Sequence, residues 1–271
     1  MGCRMENAPQ IDPTVPSPAR IYDYLLGGKD NFPADREAAE NLLRLSPNLK
    51  EGAQANRRFL IRAVEYMTQQ GIRQFLDIGT GLPTQENVHQ VALRHAPDSR
   101  VVYVDNDPIV LVHARALLAD EKRVVAVEGD LRRPESILDN PQVTKHIDLG
   151  QPVGLLLVAV LHFIPDEAAY PAVAKLRDRL APGSHLVISH GSVSRDLNED
   201  VIEKGKEIYA RSSAGMAIPR SREEILRFFD GFELVEPGLV PWPDDWRPRE
   251  DEVRLPRLPG VDSYAGVGIL R

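Results

Sequence analysis

The residues in this chain whose types and spacing could do chemistry lie at the ends of apolar stretches. Gln74-Phe-Leu-Asp-Ile-Gly-Thr-Gly-Leu-Pro83 runs an apolar stretch into a carboxylate, Asp77, and then into Gly79 and Gly81 on either side of Thr80. About one βα unit downstream, Arg100-Val-Val-Tyr-Val-Asp-Asn-Asp107 is a second apolar stretch that ends in Asp105 and Asn106. Glycine lets a backbone turn sharply and approach a ligand closely. A carboxylate at the tip of the next strand can accept from both hydroxyls of a ribose. Residues of these types in this order describe a site for a nucleoside-containing cofactor.

Which cofactor depends on the turn. A nicotinamide or flavin site wants G-x-G-x-x-G, whose third glycine lets helix and strand pack under a pyrophosphate. Here that position is Thr84, with Pro83 before it. S-adenosylmethionine carries no phosphate, so its turn need only cradle an amino-acid end and a ribose, and Asp77 can approach the ammonium directly or through water. Local alternatives stand beside these roles. Asp77 could cap the turn that follows, Asp130 could cap a turn ahead of Leu131, and Asp105 could cap the helix entered at Pro108, although Asp107 is better placed for that. His162, at an apolar strand end, is either a packed histidine or a general base, and His190 and Tyr22 are the other base candidates. His89, His95, His113 and His146 lack ligand spacing and read as surface residues. With Cys3 the only cysteine, no disulfide framework and no metal site are expected.

These residues need a frame. Apolar stretches at 74–78, 100–105, 123–128, 153–160 and 184–190 alternate with helical patterns near 85–95, 108–119, 134–139 and 166–180. That alternation predicts a parallel sheet covered on both faces, and the uniformly apolar strands agree. Helices near 196–211 and 221–229, a strand at 232–240 and a final strand at 264–270 break the rhythm and predict an antiparallel edge hairpin. Ahead of the sheet, residues 1–19 read as a flexible arm. Helices from Ala19 to Gly27, from Pro33 to about Leu45 and over 52–70 follow it.

The bulk properties narrow the class. A net charge of −7 over 271 residues argues against a general nucleic-acid affinity. The longest apolar run, Val153 to Ile164, is too short to span a bilayer, and residues 1–7 have no apolar signal region. A cytoplasmic protein is expected, with neither nucleic acid nor membrane as partner.

Asp77-x-Gly79-x-Gly81 resembles the first motif of class I S-adenosylmethionine-dependent methyltransferases, with Pro83 where a third glycine is common. Asp105 resembles their ribose-binding acid, and Glu128-Gly129-Asp130-Leu131 resembles the third motif, whose aspartate accepts from the adenine amino group. Ala159-Val-Leu-His-Phe-Ile-Pro-Asp166 and Leu180-Ala-Pro-Gly-Ser-His-Leu-Val-Ile-Ser189 resemble the fourth- and fifth-strand signatures. Pro18-Ala-Arg-Ile-Tyr-Asp-Tyr-Leu-Leu-Gly-Gly-Lys-Asp-Asn-Phe-Pro-Ala-Asp-Arg36 further resembles an uncharacterised actinobacterial family of S-adenosyl methyltransferases, a match that covers nearly the whole chain. The resemblance implies a Rossmann-like α/β fold with a seven-stranded, mostly parallel sheet and an antiparallel last strand. It implies S-adenosylmethionine as cofactor, held by Asp77, Gly79, Thr80, Gly81, Asp105, Asn106, Gly129, Asp130, Leu131 and Ala159. The acceptor, expected to be a small molecule, is not implied. Residues 20–70 are expected to form a helical lid over a methyltransferase domain at 71–271, with Lys29 and Asn31 offering donors to the cofactor carboxylate. The competing classes are a dinucleotide-dependent oxidoreductase and a non-catalytic S-adenosylmethionine-binding regulator.

Overall fold

The computed structural model describes residues 11–83, 86–118, 121–192, 199–252, 254–255 and 262–271. Most of the expected arm, together with Cys3 and Thr84, falls outside them. Strands β1 (Gln74–Ile78), β2 (Arg100–Asp105), β3 (Val124–Glu128), β4 (Gly154–Val158), β5 (His185–Ser192), β6 (Phe232–Leu234) and β7 (Asp262–Leu270) make one seven-stranded sheet in the order β3-β2-β1-β4-β5-β7-β6. β1 pairs in parallel with both β2 and β4, so the strand order reverses at β1. In an open parallel sheet the crevice beyond the strand ends at such a reversal is where a ligand binds.

Strand periodicity divides the core in two. Leu76, Val102, Leu155 and Leu186 project to one face. There they meet α6 (Pro134–Leu138), α7 (Pro141–His146), α8 (Asp166–Arg177) and α10 (Arg222–Leu226) through Ile137, Val143, Val173 and Ile225. Phe75, Val101, Tyr103, Leu156 and Val187 project to the other face. They meet α3 (Leu49–Gln69), α4 (Val88–His95) and α5 (Pro108–Leu117) through Phe59, Met67, Val91 and Ala114. Each buried valine, leucine, isoleucine, phenylalanine or methionine among them contributes about 1.5–3 kcal/mol. α3 comes so close that a Cβ on Gly154 would stand 2.8 Å from the Met67 sulfur. The domain boundary expected at residue 71 therefore cuts a continuous packing unit, because α3 belongs to the sheet as much as to the amino-terminal helices.

The carboxyl-terminal strands form the expected antiparallel hairpin at the sheet edge. β7 lies between β5 and β6 and runs antiparallel to both, so β6 is the edge. Ala265 and Val267 are fully buried and need cover, whereas β6 is half-exposed. Gly268 permits the pairing, since a Cβ there would stand 2.8 Å from the Phe232 Cβ. The strand expected at 232–240 stops at Leu234. Pro237 has no amide hydrogen, Gly238 sits at φ 88°, and only an isolated bridge joins Val240 to Ala265. α7 was not legible as a separate helix; it starts where the Asn140 side chain accepts from the Gln142 amide. The Pro/Trp/Arg-rich segment beyond Pro241 is strapped to α3. Arg62, 3% exposed at its side chain, donates to the Trp246 carbonyl at 2.9 Å and to the Glu252 carboxylate at 2.8 Å.

The amino-terminal helices α1 (Pro18–Leu25) and α2 (Pro33–Leu45) pack around Ile21, Leu25, Ala39 and Leu42. A buried ion pair fixes them. Asp35 accepts from Arg20 Nε at 2.8 Å, from the Ser17 amide at 2.9 Å and from the Phe32 amide at 2.8 Å. The flexible arm expected through residue 19 thus ends earlier, because Ser17 is buried and α1 already begins at Pro18. Gly27 and Gly28 have a packing reason. Gly27 adopts φ 82°, and a Cβ on Gly28 would overlap the Asp23 carboxylate. Replacing Asp35 with alanine strands the Arg20 charge and two amides in the core. Breaking a buried pair from one side costs about 3–5 kcal/mol, so denaturant unfolding of Asp35→Ala is expected to show a loss of that size.

Candidate functional site

The turn after β1 is hung on β2. The Gly79 amide donates to the Val104 carbonyl at 2.8 Å, and Gly79 and Gly81 adopt φ 75° and 67°. A Cβ on Gly79 would lie 2.4 Å from a Val160 methyl, whereas nothing stands within 4 Å of one on Gly81. Gly79 is therefore required by the neighbouring loop, and Gly81 opens onto free space. Asp105 ties the two loops together. Its Oδ2 accepts from the Gly81 amide at 2.9 Å and its Oδ1 from the Asp107 amide at 2.9 Å, which leaves further lone pairs on both oxygens. Asp107 caps α5 through the Ile109 amide at 2.9 Å, and its other oxygen accepts from the Ser17 hydroxyl at 2.6 Å.

Asp77 accepts from the Thr80 hydroxyl at 3.0 Å. Burial pushes its carboxyl up to about 7, with the neighbouring Asp105 adding to the rise and Thr80 and Arg57 opposing it. Burial likewise pushes Asp105 up to about 6, against the amide bonds from Asp107 and Gly81. Two desolvated carboxyls side by side favour a ligand that brings positive charge and hydrogen-bond donors.

Asp77, Gly79, Thr80, Gly81, Asp105, Asn106 and Ala159 all line one cavity of ≈ 440 Å³ at the carboxyl ends of the strands. That size lies in the range of small-molecule sites, about 300–1,000 Å³. Ala159 turns the chain out of β4 with φ 55°. The far walls come from α1, α2, α3 and α9 (Glu199–Ala210) and from the segment around Ile218.

Other expected residues stand elsewhere. Gly129 and Leu131 serve packing. A Cβ on Gly129 would be 2.6 Å from Val104, and Leu131 is buried in the core. The Asp130 carboxylate is taken by Arg132 at 2.8 Å, and it is Arg132 that reaches the cavity lining. Lys29 is exposed, and Asn31 spends its amide on Asp23 Oδ2 at 2.8 Å and on the Gly28 carbonyl at 3.1 Å. Neither is brought to the cavity, because the Gly27–Asn31 loop folds back on Asp23. His89, expected at the surface, is half-buried with its ring against the Tyr103 hydroxyl at 2.8 Å, and burial lowers its pKa.

The base candidates are also redefined. His162 lines the cavity, but burial pushes its pKa down to about 4, and the nearby Arg220 adds to that. Its Nδ1 accepts from the Gly191 amide at 3.3 Å, which places the ring proton on Nε2. Both His190 nitrogens are committed, Nδ1 to the Gly191 carbonyl at 2.7 Å and Nε2 to Arg220 at 3.0 Å. Tyr22 lines the cavity with its phenol pKa raised by burial, so it is protonated at neutral pH.

Sequence reasoning missed four residues. Arg220, 2% exposed, clamps the loop after β4 by donating to the carbonyls of Leu161 at 2.8 Å and Ile164 at 2.7 Å and to Asp166 at 2.6 Å. Asn56 and Arg57, adjacent on α3, and Tyr209 on α9 line the cavity. A buried asparagine among Ala53, Ala55, Phe59 and Leu60 was the available signal for the α3 pair. For Arg220 there was none.

Comparison with known proteins decides the class. A family profile described as S-adenosyl methyltransferase matches residues 4–271. The chain belongs to the S-adenosyl methyltransferase family. It is similar to a candidate methyltransferase from Thermobifida fusca, with 43% identity, 97% of this chain and 98% of that one covered, and a TM-score of 0.89. It is also similar to a DUF574 family protein from Streptomyces avermitilis, with 41% identity, 97% and 100% covered, and a TM-score of 0.86. An S-adenosylmethionine-dependent methyltransferase from Anabaena variabilis shares the fold at 17% identity, covering 74% of this chain and 78% of that one, with a TM-score of 0.50. No curated protein matches the chain. The fold is therefore that of class I methyltransferases and the cofactor S-adenosylmethionine, and the dinucleotide-dependent oxidoreductase gives way. The residues fit that cofactor: Asp105 keeps lone pairs for a diol, Gly81 leaves open space, and the desolvated carboxyls suit a cationic ligand.

The raised carboxyls set a pH dependence. With folded pKa values above 3.8, the two groups stabilise the free protein at low pH, and that contribution is lost as pH rises through about 6 and 7. A donor-rich cationic ligand prefers the ionised carboxyls, so its affinity has the opposite slope. Calorimetry is expected to show S-adenosylhomocysteine binding at least roughly tenfold more weakly at pH 5 than at pH 8, with protons released on binding near pH 7.

Proposed function

We propose that this methyltransferase acts on a small-molecule acceptor inside the cavity at the strand ends. The observation that carries this reading is the continuity of the lining, from Asp77, Gly81 and Asp105 at the sheet to Phe163, Tyr209 and Ile218 opposite. Donor and acceptor can share an interior of ≈ 440 Å³ bounded by the amino-terminal helices and α9. S-adenosylmethionine supplies an electrophilic methyl group on a sulfonium sulfur.

The chain's residues then bind and orient. Asp105 takes the ribose hydroxyls, Asp77 the ammonium, and Arg57, whose charge acts on Asp77, the carboxylate of the same end. Asn106 and Arg132 flank the base. In-line transfer demands chiefly alignment of donor and nucleophile, and the Arg220 clamp on the loop after β4 holds that wall in place. His162, neutral and protonated on Nε2, offers the acceptor a hydrogen-bond donor and removes no proton through that nitrogen. The reaction thus suits a nucleophile that arrives with a free lone pair.

Incubation with methyl-labelled S-adenosylmethionine and fractionated cell extract is expected to place label in the low-molecular-weight fraction. Label confined to protein or RNA would overturn the small-molecule reading. Once an acceptor is in hand, the rate is expected to show no limb between pH 6 and 7 attributable to His162. His162→Gln, which keeps a donor, is expected to retain more activity than His162→Leu, by about fivefold for one hydrogen bond.

A further inference from the structure

The far wall of the cavity carries a charge that the cofactor does not use. Val201, Ile202, Gly205, Lys206 and Tyr209 of α9 line it, and their spacing puts them on one helical face. Lys206 stands four residues after Ile202 and three before Tyr209, so its stem lies between two side chains that face the interior. Glu203, Lys204 and Glu207, its neighbours along the helix, are exposed and stand outside the described lining. Among the described residues the Lys206 ammonium meets one ionic partner, Glu203, at 3.4 Å across an exposed pair three residues apart. Such a surface pair is worth little. An ammonium has three donors, so Lys206 keeps donors for a ligand.

The side chains beside it donate as well. The Phe163 ring lies 4.2 Å from the His162 ring and 5.3 Å from the Tyr209 ring, centroid to centroid, which joins the three into one surface. His162 Nδ1 is taken by the Gly191 amide, so Nε2 carries the proton. Neither that nitrogen nor the Tyr209 hydroxyl has a hydrogen-bond partner among the described residues, and both remain accessible in the lining. Burial pushes the Tyr209 phenol up to about 12, so it is a neutral hydroxyl. The acids of the described lining, Asp77, Asp105 and Asp107, all stand at or just beyond the ends of β1 and β2. A surface that offers an ammonium, a phenol and an imidazole N–H, with no carboxylate beside them in the described lining, complements an anion. One cation suits a single negative charge, and Phe163, Ile202 and Ile218 give an apolar body its contacts.

Resting on the methyltransferase reading of this cavity, we infer that the α9 wall is a carboxylate subsite for the methyl acceptor, in which Lys206 takes the charge and the Tyr209 hydroxyl donates to the same group. The acceptor is then an apolar molecule bearing one carboxylate. Residues three apart on a helix are surface neighbours, so Lys206 and Tyr209 can share one carboxylate. The carboxylate is a handle, and His162 Nε2, beyond the end of β4, faces the part of the acceptor nearer the cofactor. Glu203 competes with that handle for Lys206 and so weakens the subsite.

The test uses phenylacetate and phenylacetamide as probes, a pair of one shape that differs in charge. Their binding to the full chain saturated with S-adenosylhomocysteine is measured by ligand-observed NMR, and the saturating ligand keeps Arg57 occupied. The wild-type protein is expected to favour phenylacetate by about fivefold, the worth of one partly exposed ion pair. That preference should shrink as salt is added. Lys206→Met keeps the stem and removes the charge. It is expected to level the two probes while leaving S-adenosylhomocysteine affinity, followed by calorimetry, within about twofold. Glu203→Gln releases the ammonium and is expected to tighten phenylacetate by about twofold, a gain that damage to the helix would not produce. Equal binding of both probes by the wild type, or no binding of phenylacetate to the loaded protein, overturns the inference. So does a preference that survives Lys206→Met. A preference abolished by S-adenosylhomocysteine also overturns it, because the anion would then sit in the cofactor's own carboxylate site. Failure of the wild type to bind S-adenosylhomocysteine would instead count against the cofactor reading, and the comparison of wild type with Lys206→Met in its absence would still decide the carboxylate inference.

Discussion

The structure depends on a run of carboxylates that joins the sheet edge to the amino-terminal helices. Asp105 holds the Gly81 and Asp107 amides, Asp107 holds the Ser17 hydroxyl, and Asp35 holds the Ser17 amide together with Arg20. Every link is a hydrogen bond of 2.6–2.9 Å, and most of the participants are buried. Low local dielectric strengthens such bonds and also makes each missing partner expensive. The chain of bonds therefore fixes where α1 lies over the strand ends. Without it the cavity would lose the wall that carries Tyr22.

The same carboxylates carry the cost of a binding site. Burial raises both Asp77 and Asp105 toward neutrality in the free protein. A cofactor with a cationic end and a diol offsets that cost, so site and ligand are complementary in charge rather than in shape alone. The opposite wall is built on different terms. His162 and His190 are kept uncharged by burial, Arg220 spends its donors on loop carbonyls and Asp166, and the remaining lining is largely aliphatic or phenolic. Lys206 on α9 adds a charge to that wall.

Glycine usage separates local necessity from ligand approach. Gly79, Gly129 and Gly28 are each excluded from carrying a Cβ by a neighbouring side chain, whereas Gly81 faces open space beside the Asp105 carboxylate. The glycine pair at 27–28, which precedes the expected donors Lys29 and Asn31, is explained by the buried Asp23 and by the φ of 82° at Gly27. A motif-like cluster can arise from packing alone.

What the sequence by itself determined was the frame and the cofactor edge. Uniformly apolar strands alternating with helices dictate a covered parallel sheet, and acids that end β1 and β2 dictate what stands at its carboxyl edge, because strand-end positions follow from local pattern. Asp77, Gly79, Gly81 and Asp105 were legible for that reason. The acceptor side was not. Asn56, Tyr209 and Arg220 come from α3, α9 and the segment before α10, Arg57 joins the cofactor end from α3, and no local pattern in these stretches refers to the cavity they frame. Lys29 and Asn31 illustrate the converse, since their donors looked free until the fold turned them onto Asp23 and solvent. Likewise β7 entered the sheet between β5 and β6, where both of its backbone edges are paired, while α3 residues cover Ala265 and Val267. Long-range packing decided which polar groups face the cavity, and only the tertiary structure shows that Lys206 and Tyr209 are among them.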